Sequence, residues 1–156
     1  MNKLLITASL LGLCSVGFGQ TASPAANSST KAAASAPYTE GPVWTLTFIK
    51  TKSGLDDEYF KQISQTVKPV YDAAKAEKII LDYKVLNGNA IGEHDANIII
   101  MVEYQNMAAF DGLREKMEPI MTKAMGSDDQ RKDLAVKRLD IREILGTKTM
   151  REITLK

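Results

Sequence analysis

Residues 97–104 read NIIIMVEY, and the rest of the chain falls into place around them. Ile98, Ile99, Ile100 and Val102 are β-branched, a composition that packs well on a pleated surface and loses rotamer freedom in a helix. A strand is predicted over 97–104. Side chains alternate along a strand, so Ile98, Ile100 and Val102 share one face and Ile99, Met101 and Glu103 the other. The first face is a core face. The second mixes charge with bulk.

Upstream, residues 80–86 alternate in the same way, with Leu81, Tyr83 and Val85 opposing Asp82 and Lys84, and Asn87-Gly88 supplies a turn. A polar loop carrying Gly92, Glu93, His94 and Asp95 then leads back into 97–104, which makes the two strands an antiparallel hairpin. An earlier strand is predicted over Val43–Ile49, with Trp44, Leu46 and Phe48 pointing one way and Thr45, Thr47 and Ile49 the other. Between them, Ser53-Gly54 turns the chain. Asp56, Asp57 and Glu58 then start a helix in which Phe60, Ile63, Val67, Tyr71 and Ala74 recur at helical spacing. Pro69 removes one backbone bond from that helix and predicts a kink or two abutting helices near Lys68.

Downstream, Asn106 is a candidate cap for a helix whose inward positions are Phe110, Leu113, Met117, Ile120 and Ala124, ending at Gly126. Ser127 and Gln130 have the spacing of a capping box. A further helix is predicted from Asp128 to Leu145, closed by Gly146, before a last strand over Thr149–Leu155. The order strand, helix, strand, strand, helix with an added helix, strand is the ferredoxin-like β-α-β-β-α-(α)-β plan. The fold class is α+β, an antiparallel sheet with its helices on one face. The predicted core under the helices is Trp44, Leu46, Phe48, Leu81, Tyr83, Val85, Ile98, Ile100, Val102, Ile153 and Leu155. The opposite face is assigned Thr45, Thr47, Ile49, Asp82, Lys84, Asn97, Ile99, Met101, Glu103, Met150, Glu152 and Thr154. Ile49, Ile99 and Met101 make it too apolar to be simply solvated, and a second copy of the same sheet is the simplest cover. A homodimer is expected.

In element order, in the turn Lys50–Gly54 that enters the first helix, and in the run 97–104, the chain from Val43 to Lys156 resembles the dimeric α+β barrel group. That group includes small cofactor-independent monooxygenases, stress-responsive barrel proteins and muconolactone isomerase-like proteins. The resemblance implies two sheets closed face to face and a small organic ligand held between sheet and helices. It is a likeness of pattern and brings no catalytic constellation with it. The added helix departs from the shortest members.

At the start of the chain, Lys3 precedes an apolar run from Leu4 to Leu13, and Gly17 and Gly19 bracket Phe18. Residues 1–19 read as a secretory signal, which predicts an exported protein, periplasmic or secreted. Residues 20–38 are rich in Ala and Ser and read as a flexible linker, and residues 39–156 as the folded domain. The sole cysteine, Cys14, falls within the signal after bulky Leu13, which argues against a lipid anchor. The chain carries 20 basic and 19 acidic residues, and loss of Lys3 with the signal balances them. Neither nucleic acid nor an integral membrane segment after cleavage is indicated. No cofactor and no metal site is predicted, and His94 is the only histidine.

The candidate ligand-binding set is Thr45, Thr47, Lys84, Asn97, Met101, Glu103, Arg138 and Glu152. Glu103 and Glu152 lie on strands that both neighbour the first, so two carboxylates near a partly apolar surface are placed to act as acid and base; the plainer alternative is pairing with Lys84 or Lys50. His94 reads either as an exposed loop histidine or as a residue reaching a ligand. Arg138 shares an apolar stripe with Leu134, Ile141 and Leu145 and either meets an anion or lays its stem on the core with its head in water. Met117, Met121 and Met125 read as core filling.

Two functions follow. One is a homodimeric small-ligand-binding or assembly module, including a tethered structural variant. The other is a cofactor-independent monooxygenase or isomerase acting on a small aromatic or enolisable substrate, with Glu103 or His94 as base and Asn97 or Arg138 steadying the oxyanion.

Overall fold

The computed structural model describes residues 36–156; the stretch read as a secretory signal, residues 1–19, and most of that read as a linker lie outside the described residues. Strand β1 runs Tyr38–Thr51, helix α1 Asp56–Ala76, β2 Asp82–Asn87, β3 Ile98–Tyr104, α2 Leu113–Met125, α3 Asp128–Leu139 and β4 Arg142–Leu155. The strands form one antiparallel sheet in the order β2-β3-β1-β4. This is the ferredoxin-like arrangement, in which the first and third strands lie at the centre.

The helices cover one side of that sheet. Ile98, Ile100, Val102 and Tyr104 from β3 point into the core, where they meet Tyr59, Ile63, Val70 and Ala74 of α1 and Ile120 of α2. Pro69 sits inside α1 without dividing it, so the chain has one helix there rather than two. Met117, Met121 and Met125 pack against the core as gap fillers. Ser127 and Gln130 form the capping box: the Ser127 amide donates to Gln130 Oε1 at 2.8 Å and the Gln130 amide to Ser127 Oγ at 3.4 Å.

Three local expectations fail for physical reasons. Asn106 precedes only a short 3-10 turn, Met107–Phe110, and makes no side-chain cap bond; Gly112, at φ 64°, breaks the path before α2 begins. The helix predicted over 128–145 stops at Leu139, and β4 starts at Arg142 instead of Thr149. Residues 142–146 have a better alternative to helix, because β1 extends to Thr51 and offers them partners: Thr51 faces Arg142, Lys50 faces Glu143 and Ile49 faces Ile144. A ladder of backbone bonds outweighs a weak helical preference. Ile141, just before it, is buried in the core.

The third failure matters most. β1 is turned over relative to the sequence reading. Its register pairs Val43 with Tyr104, Thr45 with Val102, Thr47 with Ile100 and Ile49 with Ile98, and directly paired residues share a face. Val43 and Ile49 are therefore fully buried under the helices, and Trp44, Leu46 and Phe48 emerge on the opposite side. Both stripes of β1 contain large apolar groups, so alternation alone does not say which is inward.

Candidate functional site

The open side of the sheet can be read as three rows crossing the strands in the order β2, β3, β1, β4. The first row is Asp82, Glu103, Trp44 and Met150; the second Lys84, Met101, Leu46 and Lys148; the third Leu86, Ile99, Phe48 and Gly146. An apolar band of Trp44, Leu46, Phe48, Ile99, Met101, Leu86 and Met150 runs through them, with charges at its margins. No helix of the described residues covers it. Leu86 and Met150 are 48% and 46% exposed, and the five central members are half-buried by one another.

Trp44, the sole tryptophan, is fixed from two directions. Its indole Nε1 donates to Glu152 Oε2 at 3.1 Å, and Lys84 Nζ lies 5.2 Å from the ring centroid. A cation over an indole face is held by the ring quadrupole, worth about 0.5–1 kcal/mol where water has access. Glu152 lies two residues beyond Met150, the β4 partner of Trp44, and so on the same side of the sheet, beside the bulge at Gly41-Pro42 where the register between Glu40 and Val43 shifts. A Cβ on Gly41 would stand 3.3 Å from the Glu152 Cβ, a tight contact that the glycine avoids.

Of the predicted ligand residues, Lys84, Met101, Glu103 and Glu152 do gather on this face. Thr45 and Thr47 do not. They belong to the helix side, where Thr45 lies against the Tyr104 hydroxyl and Thr47 Oγ1 is 3.4 Å from Thr147 Oγ1. Asn97 is also elsewhere, occupied with structure: its Oδ1 accepts from the Thr51 amide at 3.0 Å, and its Nδ2 donates to Thr51 Oγ1 at 2.7 Å and Asp56 Oδ1 at 3.1 Å. That clamp ties the end of β1 and the entry of β3 to the start of α1. Arg138 sits on α3, its Nε donating to the Leu134 carbonyl at 3.2 Å, and burial together with neighbouring Arg142 lowers its pKa.

His94 is exposed in its loop and touches the face only at its far end, in a shallow cleft of about 170 Å³ with Phe48 and Gly146. Glu103 lies at the other end of the face, opposite Trp44, four residues along β1 from Phe48 or about 13 Å at the usual strand rise. The base and oxyanion groups suggested by the sequence are thus not assembled in one place. The pairing expected of Glu103 and Glu152 with Lys84 or Lys50 is also absent among the ion pairs of the described residues; Lys50 Nζ donates to the Glu93 carbonyl instead. Trp44, Leu46 and Phe48 are the open-face residues that sequence reasoning assigned to the core. Their signal was the unusual bulk of both faces of β1.

A second cleft, of about 210 Å³, lies on the helix side, lined by Phe60, Ile63, Val67, Tyr83 and Val85 among others. Tyr83 donates to Asp72 Oδ1 at 2.7 Å and stacks against Tyr71 with centroids 5.2 Å apart, so its hydroxyl is already satisfied. Among the described residues no group of His, Cys, Asp and Glu is arranged to hold a metal ion, and no helix is long and apolar enough to cross a membrane.

No protein-family model and no curated protein matches the chain. Solved structures do resemble it. A NIPSNAP family protein of unknown function from Agrobacterium tumefaciens shares 13% identity over 74% of this chain and 90% of its own, with a TM-score of 0.45. A dimeric ferredoxin-like protein from an uncultured marine organism shares 16% identity over 74% and 97%, with a TM-score of 0.43. A dimeric protein of unknown function and ferredoxin-like fold from Bacteroides fragilis shares 15% over 75% and 100%, with a TM-score of 0.40. The ferredoxin-like assignment of this chain stands on its own strand order.

Proposed function

We propose that this chain is an exported homodimeric module that closes its open sheet face against a second copy and holds a small, partly apolar molecule between the two sheets. One observation carries the reading: Trp44, Leu46 and Phe48 form the bulkiest stripe of the central strand and lie outside the helix layer. Burying one large apolar side chain fully is worth about 1.5–3 kcal/mol. A two-fold contact uses the same patch twice, so self-association doubles the area that any unrelated partner must supply anew. The charges at the margin, Lys84, Lys148, Asp82, Glu103 and Glu152, then set orientation and leave polar groups for a ligand to meet. Export rests on the leader pattern of residues 1–19, and the mass of the mature chain recovered from an expressing host tests it directly.

The dimer and the ligand are tested together because Trp44 is the only tryptophan. Sedimentation over a wide concentration range should show dimers, with Trp44 emission shifted to short wavelength and shielded from iodide. Met101→Lys places a third cation between Lys84 and Lys148 and should yield monomers with water-like emission. Single chains at every concentration, with Trp44 open to quencher, overturn the proposal. If dimers form and neither benzoate nor 1-naphthol changes Trp44 emission saturably, the assembly half of the reading stands and the ligand half falls.

A further inference from the structure

We propose that the cleft at the junction of β1, α3 and β4 binds an oxyanion, the carboxylate or phosphate of a small molecule with an apolar body, with Arg142 as its principal donor. The cleft has a volume of about 680 Å³ and is lined by Lys50, Lys52, Leu139, Arg142, Glu143 and Ile144, together with Thr51 and Ser53. That volume lies in the range of sites that take small organic ligands. Arg142, Thr51 and Ile144 reach the cleft from the helix side of the sheet, whereas Lys50 and Glu143, paired across β1 and β4, stand on the side of Phe48.

The argument starts from Arg142. Its Nε is buried and has no hydrogen-bond partner among the described residues. Its guanidinium carbon lies 5.8 Å from the centre of the Tyr59 ring and the fork approaches the Tyr59 hydroxyl as a donor, which steadies its plane and leaves Nε itself unpaired. Arg138, four residues earlier, stands close enough for the two cations to repel, and its own Nε is used on the Leu134 carbonyl. Neither arginine takes part in an ion pair among the described residues. Two like charges held together with one donor orphaned are costly unless something negative completes them.

The surroundings define that something. Lys52 adds a third positive charge at the wall, while Lys50, though engaged with the Glu93 carbonyl, keeps its charge at the rim. Glu143 is the single acid in the lining, and its carboxylate is exposed and opposes an anionic guest. A planar guanidinium prefers an oxyanion that accepts two parallel bonds, which a carboxylate or phosphate offers and a halide does not. Leu139 and Ile144, 64% and 49% exposed, supply apolar surface beside the charge. The guest should therefore be amphiphilic.

The test uses the full chain and three probes: inorganic phosphate, octanoate and octyl phosphate, with 1-octanol as the uncharged control. The Arg142 Nε–Hε resonance reports binding at the orphaned donor. The proposal expects a saturable shift of that resonance with at least one anionic probe and none with 1-octanol. Arg142→Gln should weaken binding at least about tenfold, the size of a lost charge-assisted bond, and Glu143→Gln should strengthen it. Tighter binding of octanoate or octyl phosphate than of inorganic phosphate identifies an amphiphile as the guest; equal binding of the two phosphates identifies the free ion. No saturable shift up to tens of millimolar with any anion overturns the proposal, and so does wild-type affinity in Arg142→Gln. Should that variant fail to fold, the resonance in the unmodified chain and the affinity of Glu143→Gln still decide the matter.

Discussion

Trp44 and Glu152 are joined side chain to side chain across the β1–β4 pair, with the indole nitrogen 3.1 Å from the carboxylate, at the point where Gly41 and Pro42 throw β1 into a bulge. The bond fixes the largest side chain of the open face in one orientation. Glu152→Ala releases it. Because the pair is exposed in the single chain, the loss there should be small, about 0.5–1.5 kcal/mol by urea unfolding. In the proposed dimer the released indole should also weaken association. A change in stability that is the same above and below the dimerisation midpoint speaks against that link.

Asn97 carries a heavier structural load. Removing its amide leaves the Thr51 amide without its acceptor, while the Thr51 hydroxyl keeps its bond to Asp56, and Thr51 is only 7% exposed. Asn97→Ala should cost about 1–3 kcal/mol in unfolding free energy, with no change in any ligand's affinity beyond what stability explains. Asn97→Asp should recover little, since a carboxylate cannot donate to Asp56.

Alkaline pH should weaken the fold through its tyrosines. Burial pushes Tyr71 up to about 12, with Tyr104 and Tyr59 close by adding to it, and burial with the Asp72 bond pushes Tyr83 up to about 12. Above the ordinary value of 10 the unfolded chain releases protons that the folded chain keeps, so stability is full below that pH and falls as pH rises from about 10 towards 12. Urea midpoints across this window should decline, and Tyr71→Phe should flatten the decline. An unchanged slope in that variant would remove Tyr71 from the account.

Two glycines predict different costs. Gly112 and Gly126 both have positive φ, 64° and 84°, which an alanine adopts at a cost of about 1 kcal/mol. At Gly112 an added Cβ meets nothing closer than 3.8 Å, whereas at Gly126 it runs into the Gln130 side chain of the capping box. Thermal unfolding should therefore rank Gly126→Ala clearly below Gly112→Ala. Equal midpoints would mean that Gln130 moves aside freely.

What could be read from residues alone was local or strongly one-sided. The Ser127–Gln130 box, the stop at Gly126 and the inward face of β3 follow from chemistry within a few positions, and all three hold. β1 was misread because Val43 and Ile49 on one side compete with Trp44, Leu46 and Phe48 on the other, and only its partners in β3 settle the contest. Residues 142–146 were misread for a related reason: their strand exists because β1 is long, a fact about residues about ninety positions away. The candidate site suffered accordingly. Lys84, Met101, Glu103 and Glu152 were placed correctly by their own strands, while Thr45 and Thr47 went with the wrong side of β1, and Asn97 and Arg138 were drawn off by neighbours that no spacing reveals.

The pairing of β1 with β4 has a consequence for how the molecule is made. The central strand is held on one flank by residues 142–155, and the Lys156 amide closes the seam on the Pro37 carbonyl at 3.0 Å. Contacts that span nearly the whole domain form slowly, since the intervening chain must first be brought together. Until residues 142–155 pair, β1 therefore stays bare along one edge, and the sheet is sealed only when that stretch docks.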